Sequence, residues 1–430
     1  MKEKQDKVDR RNFLKAVGAA GLAPSVVGVT TRLASTAAVT GSNKSNAAGK
    51  KQKPKSPQVP RRELGKTGVR IPCLSIGTTM SNLVENQVIL RNTLRWGVSS
   101  WDTATNYTGG NSELGIGKFL SKNPDVRKEL FIISKPPDIR TTVPDVVDID
   151  KHLQTSLKRM NTKYIDLYFG IHSMLNPTQL TDELKRWAES AKKQKLIRFF
   201  GFSTHKNIAQ NLTAAAKLDW IDAIMTAYNF RLMQDPKLQA AVEACHKVGI
   251  GLIAMKTQAA SFWMGHAVKV KTEADKKLVG HFQKRGFSEG QSKIKVVLQD
   301  KRFSSACVSM GNTTLLASGV TAVLDKTKLS QTDMDVFKEY AWATCSNYCA
   351  GCAYICDSVL PNAPYVSDIM RYLMYYNSYG DEVRARELFA EIPGKVRNRL
   401  LSTDYRIAEA CCPQHIPIGK MVAEAVSKLA

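Results

Sequence analysis

Leu74-Ser75-Ile76-Gly77-Thr78-Thr79-Met80-Ser81 decides the fold, because it is a short apolar strand whose end carries no glycine-rich turn. A doubly wound open sheet that grips a dinucleotide usually places G-x-G-x-x-G directly after its first strand, where bare backbone N–H groups meet the pyrophosphate. Here Gly77 is followed by hydroxyl and thioether side chains instead. Outward from this stretch, further apolar runs occupy residues 99–104, 130–135, 165–171, 197–204, 223–229, 251–257 and 304–310. Between them, residues 148–160, 180–195, 208–218 and 236–248 carry apolar side chains three and four apart, the helical period. Eight strands alternating with helices predict an α/β protein built as a closed (β/α)8 TIM barrel over residues 61–325; the open doubly wound sheet is the competing architecture.

Active sites of such barrels lie at the C-terminal ends of the strands. Asp102 ends the second run, with Tyr107 five residues on; Lys135 ends the third and His172 the fourth. Taken singly, each has a plain structural role: a helix-capping Asp, a solvent-reaching Lys, a hydrogen-bonded His. Four reactive groups at three successive strand ends point to one site. Reducing a carbonyl needs a hydride donor and a proton for the developing alkoxide. A free phenol with a pKa of about 10 is a sluggish proton donor at neutral pH. Lys135 is therefore expected to pull the Tyr107 phenol down, Asp102 to keep that lysine charged and oriented, and His172 to orient the carbonyl oxygen.

The strings Trp101-Asp102-Thr103-Ala104-Thr105-Asn106-Tyr107 and Ser112-Glu113-Leu114-Gly115-Ile116-Gly117-Lys118 resemble the aldo-keto reductases. So do Phe131-Ile132-Ile133-Ser134-Lys135 and the segment from Tyr164 to His172, over a resemblance spanning about residues 60–325. It implies Asp102, Tyr107, Lys135 and His172 as a catalytic tetrad. It also implies that the opening Arg62-Glu63-Leu64-Gly65-Lys66-Thr67-Gly68 forms a hairpin plugging the barrel floor, and that NADP(H) is the cofactor. The family's cofactor grip is reduced here. Ser203 is kept, but Thr204 and Met225 stand where Asn and Gln are expected, and Ser318-Gly319 replaces Glu-Asn. Tyr228 and Asn229 match the family. The expected cofactor-binding residues are Ser203, Thr204, Tyr228, Lys256, Met310, Gly311 and Asn312. NADP trapped during folding, another electron carrier, and a barrel without redox activity all remain open readings.

Residues 1–60 hold 12 Lys/Arg against 3 Asp/Glu, a large part of the formal +24 charge. No nucleic-acid motif accompanies the excess, so it reads as a solvated basic surface rather than a nucleic-acid footprint. Asp9-Arg10-Arg11-Asn12-Phe13-Leu14-Lys15, followed by a mild apolar segment, resembles a twin-arginine export signal. The resemblance implies a signal peptide over residues 1–40, passage through the twin-arginine translocase, and a periplasmic or cell-envelope location. Residues 41–60, rich in Lys, Ser, Asn and Pro, read as a disordered linker. No run approaches the length of a membrane span, so none is expected in the mature chain.

Nine cysteines are placed unevenly. Cys73, Cys245 and Cys307 sit alone in apolar surroundings and read as core. The other six lie in residues 326–430. Cys345-x3-Cys349-x2-Cys352-x3-Cys356 resembles a bacterial ferredoxin run, with one extra residue in its first spacer and Asp357 in place of proline. Cys411-Cys412-Pro413 supplies the missing Cys-Pro, as at the tail of iron–sulfur aldo-keto reductases. The expected ligands of a 4Fe-4S cluster are Cys349, Cys352, Cys356 and Cys412, with Cys345 as the substitute for the last. A zinc site and disulfides are the rivals. Residues 366–379 and 382–390 are predicted helical, with 369–376 packing on the barrel.

The leading expectation is thus an exported oxidoreductase acting on a small carbonyl or alcohol substrate, with a redox partner protein possible. The second is a barrel scaffold serving electron transfer or partner binding. Specificity is expected from variable loops such as residues 259–275.

Overall fold

The computed structural model describes residues 56–80, 82–138, 143–259, 272–361 and 365–430. The expected signal segment lies outside these residues, as do most of the linker and most of loop 259–275.

Strands β3 (Leu74–Gly77), β4 (Ser100–Asp102), β5 (Phe131–Ser134), β6 (Ile165–Ile171), β7 (Ile197–Thr204), β8 (Ala223–Ala227), β9 (Gly251–Met255) and β10 (Phe303–Val308) pair in parallel. They close in the order β10-β3-β4-β5-β6-β7-β8-β9, so the barrel is confirmed and the open sheet excluded. All seven residues of β6 are buried. A strand covered on both faces reads as an unbroken apolar run instead of an alternation, which is why the sequence shows such runs.

Alternation survives in where side chains point. Phe131, Ile133, Leu167, Phe169, Ala223, Met225, Ile253 and Cys307 share the barrel interior. Tyr168 and Phe200, on the opposite parity, both pack on Trp187 of helix Asp182–Lys193. The floor is closed by the antiparallel hairpin β1 (Arg61–Glu63) and β2 (Arg70–Pro72), whose Leu64 and Ile71 join that interior cluster. Gly65, at φ +52°, permits the fit: a Cβ there would stand 2.2 Å from the Gly249 carbonyl oxygen.

The strand bounds read from sequence overreach at 228–229 and 256–257. Residues leaving the ladder to build the rim stay buried, as Tyr228, Asn229 and Thr257 do.

After helix Thr313–Leu324 the chain builds a helical extension. Helix Val366–Met374 runs into a five-residue π turn, Tyr375–Tyr379, and meets helices Glu382–Ala390 and Ile418–Leu429. Ile369, Tyr372, Leu373, Phe389 and Val422 form the extension's own core. Residues 369–376 thus serve two faces: Ile369, Tyr372 and Leu373 pack inside the extension, while Arg371 and Tyr375 meet the barrel rim at Ser173 and Lys256.

The extension docks on the C-terminal rim. Lys206, after β7, pairs with Asp368 at 2.7 Å. Asn229, after β8, donates to the Tyr348 hydroxyl at 3.0 Å. Lys256, after β9, donates to the Tyr375 hydroxyl at 3.1 Å. Among the described residues no helix is long and apolar enough to cross a membrane.

Candidate active site

Three neighbouring strands deliver the four expected residues to one cavity. Asp102 closes β4 on the inward parity, and Lys135 follows Phe131 and Ile133 on the same side of β5. His172 should face outward by the same count from Leu167 and Phe169. A register shift between Phe169 and Ile171 inserts one residue into β6 and turns His172 inward. Tyr107 opens the turn after β4, where Thr108 and Gly109 both take left-handed φ values, 50° and 64°.

Lys135, 1% exposed, donates from Nζ to Asp102 Oδ1 at 2.6 Å and to the Thr103 carbonyl at 2.7 Å. Its ammonium stands 4.9 Å from the centre of the Tyr107 ring, and the His172 ring lies edge-on to that ring at 6.0 Å. Burial pulls the Lys135 ammonium down, but Asp102 and Tyr107 outweigh it and leave it above the usual lysine range. Burial pushes the Asp102 carboxyl up against the pull of Lys135.

The balance on Tyr107 differs from the expectation. Burial pushes its phenol up, Lys135 and Arg384 pull it down, and burial wins, leaving it at about 12. The charged form of a buried phenol loses more hydration than one neighbouring ammonium returns. Tyr107 is thus a protonated acid at neutral pH.

His172 is neutral: burial, with Lys135 nearby, lowers it to about 3 despite Asp138. Its Nδ1 lies 3.0 Å from both the Pro136 carbonyl oxygen and Asp138 Oδ1. Two acceptors at Nδ1 hold the ring proton there, so Nε2 presents a lone pair. His172 ring resonances should stay fixed through the pH range where an ordinary imidazole titrates. A midpoint near 6.5 in an NMR titration would overturn this assignment.

The expected cofactor residues divide. Ser203 and Lys256 line the tetrad's cavity, beside Thr257, Gln258 and Ser309. Thr204 does not line it; its hydroxyl donates to the carbonyls of Met174 and Lys206 at 3.1 and 2.9 Å. Tyr228 stacks on Phe303 at 4.1 Å between ring centres and donates to Asp300 at 2.6 Å, also away from the cavity. Both have the outward parity of their strands. Met310 is buried and Gly311 and Asn312 are exposed, in the turn before helix Thr313–Leu324, where the Asn312 side chain already caps Leu315 N–H.

Residues that sequence reasoning missed come mainly from the extension: Arg371, Tyr375, Tyr379, Asp381 and Arg384 line the cavity, with Asp138 opposite. The one available signal was Arg371, a lone charge inside the otherwise apolar and aromatic run 369–376.

A separate small cavity is lined by Cys349, Cys352, Cys356 and Cys412, with Ile355, Val366, Met370 and Ile416 around them. Burial pushes the Cys352 thiol to about 11 and Cys356 to about 12, with neighbouring sulfurs adding to the effect. Cys345 stands outside this cavity, close enough to Arg231 to act on its charge, and Cys411 is exposed. The nine cysteines are free thiols, and Cys73, Cys245 and Cys307 are buried as expected. Among the described residues no three His, Cys, Asp or Glu side chains stand close enough to share a single metal ion.

Among solved structures, the chain is similar to the thermostable aldo-keto reductase Tm1743, a complex with the inhibitor epalrestat. They share 26% identity over 66% of this chain and 100% of that one, with a TM-score of 0.53. The aldo-keto reductase AKR11C1 from Bacillus halodurans, in its holo form, shares the fold at 18% identity, covering 66% of this chain and 96% of that one with a TM-score of 0.55. The family model described as "Aldo/keto reductase family" matches residues 74–338, more than half of the sequence. With the closed barrel in hand, that match makes this chain a member of the aldo/keto reductase family.

Proposed function

We propose that the chain is an exported oxidoreductase that interconverts a carbonyl compound and its alcohol, with Tyr107 as the acid–base group. The carrying observation is the convergence of Asp102, Tyr107, Lys135 and His172 on one cavity.

Bound NADP(H) would supply or accept the hydride. The cavity wall suits its nicotinamide end, because Ser203, Thr257, Gln258 and Ser309 bring hydroxyl and amide groups to one space. Lys256 lines the same space, and the Met310–Asn312 turn precedes a helix N-terminus of the kind that favours phosphate. With Thr204 and Tyr228 engaged elsewhere, this grip rests on fewer contacts than the sequence suggested.

The chain's own residues do the rest. Tyr107 delivers its proton to the developing alkoxide, and Lys135 and Arg384 stabilise the phenolate that results. Asp102 keeps Lys135 charged and pointed. His172, its ring held at Nδ1 by Pro136 and Asp138 and set edge-on to Tyr107, orients the reacting oxygen. In the opposite direction the same groups run in reverse.

We further propose that Cys349, Cys352, Cys356 and Cys412 hold a 4Fe-4S cluster. Four sulfurs around a void suit a polynuclear centre, whereas a single zinc needs ligands converging on one point, with Zn–S distances near ~2.3 Å. Coordination would also offset the burial that keeps these thiols protonated. Export through the twin-arginine translocase, which carries folded proteins, would let such a group be inserted beforehand, and a redox partner protein could exchange electrons with it outside.

One anaerobic preparation tests both parts. Iron, sulfide and nucleotide are assayed on the same sample, and NADP released on denaturation supports the enzyme reading. Cys412→Ser should sharply lower bound iron and the absorption near 400 nm. Protein containing neither iron nor sulfide, from cells able to build such clusters, refutes the cluster.

A further inference from the structure

Two cations at the wall of the tetrad's cavity have no ion-pair partner among the described residues. Of these residues, four cationic and three carboxylate side chains line it. Lys135 is consumed by Asp102 at 2.6 Å. Arg371 pairs with Asp368 at 3.1 Å and stands 3.7 Å from Asp138, which also holds His172. Lys256 and Arg384 remain. Lys256 has the Tyr375 hydroxyl at 3.1 Å as its polar partner. Arg384 lies over the faces of Tyr107 and Tyr375, 4.9 and 5.7 Å from the ring centres. Neither forms an ion pair with a described carboxylate, Asp381 included.

Burial acts against both cations; on Arg384 the fields of Tyr107, Tyr375, Asp138 and Asp381 outweigh it, whereas ring faces repay only part of the hydration that Lys256 loses. Burial lowers the Lys256 ammonium, Tyr375 only partly opposing it. Lys256 is also held at φ 56°, a left-handed conformation uncommon for a side-chain-bearing residue. Strain and unpaired charge at one strand tip suit a residue kept for a ligand.

We propose that this cavity takes substrates bearing a carboxylate, short oxo-acids and the matching hydroxy-acids, with Arg384 and Lys256 receiving the carboxylate beside Tyr107. The inference rests on the oxidoreductase reading and narrows its substrate class. An arginine guanidinium can meet a carboxylate through two parallel N–H bonds, which fixes orientation as well as affinity. Tyr375 and Tyr379, stacked at 5.7 Å, supply an aromatic wall for the short carbon chain.

The same anion-binding chemistry could serve a dinucleotide phosphate, so the test separates the two. Calorimetry on the full-length holoprotein compares lactate with propane-1,2-diol, and 4-hydroxybutanoate with butane-1,4-diol. At least one acid should bind roughly tenfold or more tightly than its diol. Arg384→Met and Lys256→Met should each remove most of that preference, and Arg384→Lys should retain part of it. Equal binding of acids and diols by the wild type overturns the proposal. So does a pair of Met variants that weaken NADP+ binding while leaving the acid preference intact. Should the preference and its loss appear without any turnover of the acids, the carboxylate site stands and the oxidoreductase reading fails.

Discussion

Tyr107→Phe should lower kcat for carbonyl reduction by about 10²–10⁴-fold, the usual worth of a positioned general acid, with little change in fold. The hydroxyl removed stands beside Lys135 at the cavity, where it can both give and regain a proton. The pH profiles make the assignment sharper than the loss alone. Reduction uses the protonated phenol. Because burial outweighs Lys135 and holds that phenol at about 12, the reductive rate should stay level through neutral and mildly alkaline pH and fall only near that value. Alcohol oxidation uses the phenolate, so its rate should climb with pH, about tenfold per unit, as long as pH lies below the phenol's pKa. A reductive rate already falling near pH 9 would show that Lys135 beats burial after all. Turnover in Tyr107→Phe equal to the wild type would remove Tyr107 from the chemistry altogether.

The barrel was legible because its strands are buried on both faces, so each appears as a continuous apolar run with helical periodicity between runs. That Asp102, Lys135 and His172 share a cavity followed from strand ends alone, and that Tyr107 joins them from its spacing after Asp102. Other features depend on parity and register. Ser203 faces the cavity, so Thr204 must face away; Met225 faces inward, and so Tyr228 cannot. A period-two count along β7 and β8 would have excluded both from the cofactor grip. The same count would have excluded His172 wrongly, since the shift between Phe169 and Ile171 leaves no sequence mark beyond Gly170. Tyr375 and Arg384 were beyond reach, because only tertiary docking brings the extension over the rim; Arg371 offered no more than its lone charge. The balance at Tyr107 was illegible for a related reason: sequence names the charged neighbours of a phenol but not its depth.

Lys135→Met should cost about 3–5 kcal/mol of stability, because it leaves Asp102 buried without its cation. Asp102 is 4% exposed, and Lys135 Nζ at 2.6 Å is its ion-pair partner. Against a total of about 5–15 kcal/mol for a typical domain, this is large enough to read by urea or thermal denaturation. Its size should depend on pH. Burial already raises the Asp102 carboxyl, and removing Lys135 withdraws the main opposing pull. In the variant, then, the folded-state value lies above the unfolded one. Below the ordinary carboxylate range both states are protonated and the deficit is smallest. As pH rises from the ordinary carboxylate range toward the elevated folded value, the unfolded state sheds its proton first and the deficit grows, levelling off above that value. Asp102→Asn combined with Lys135→Met removes the stranded charge, so the double variant should recover much of the loss and its deficit should lose the pH dependence. If the single variant matched the double at every pH, the two groups would not form an ion pair, and the charge that steers the Tyr107 phenolate would have to come from Arg384 alone.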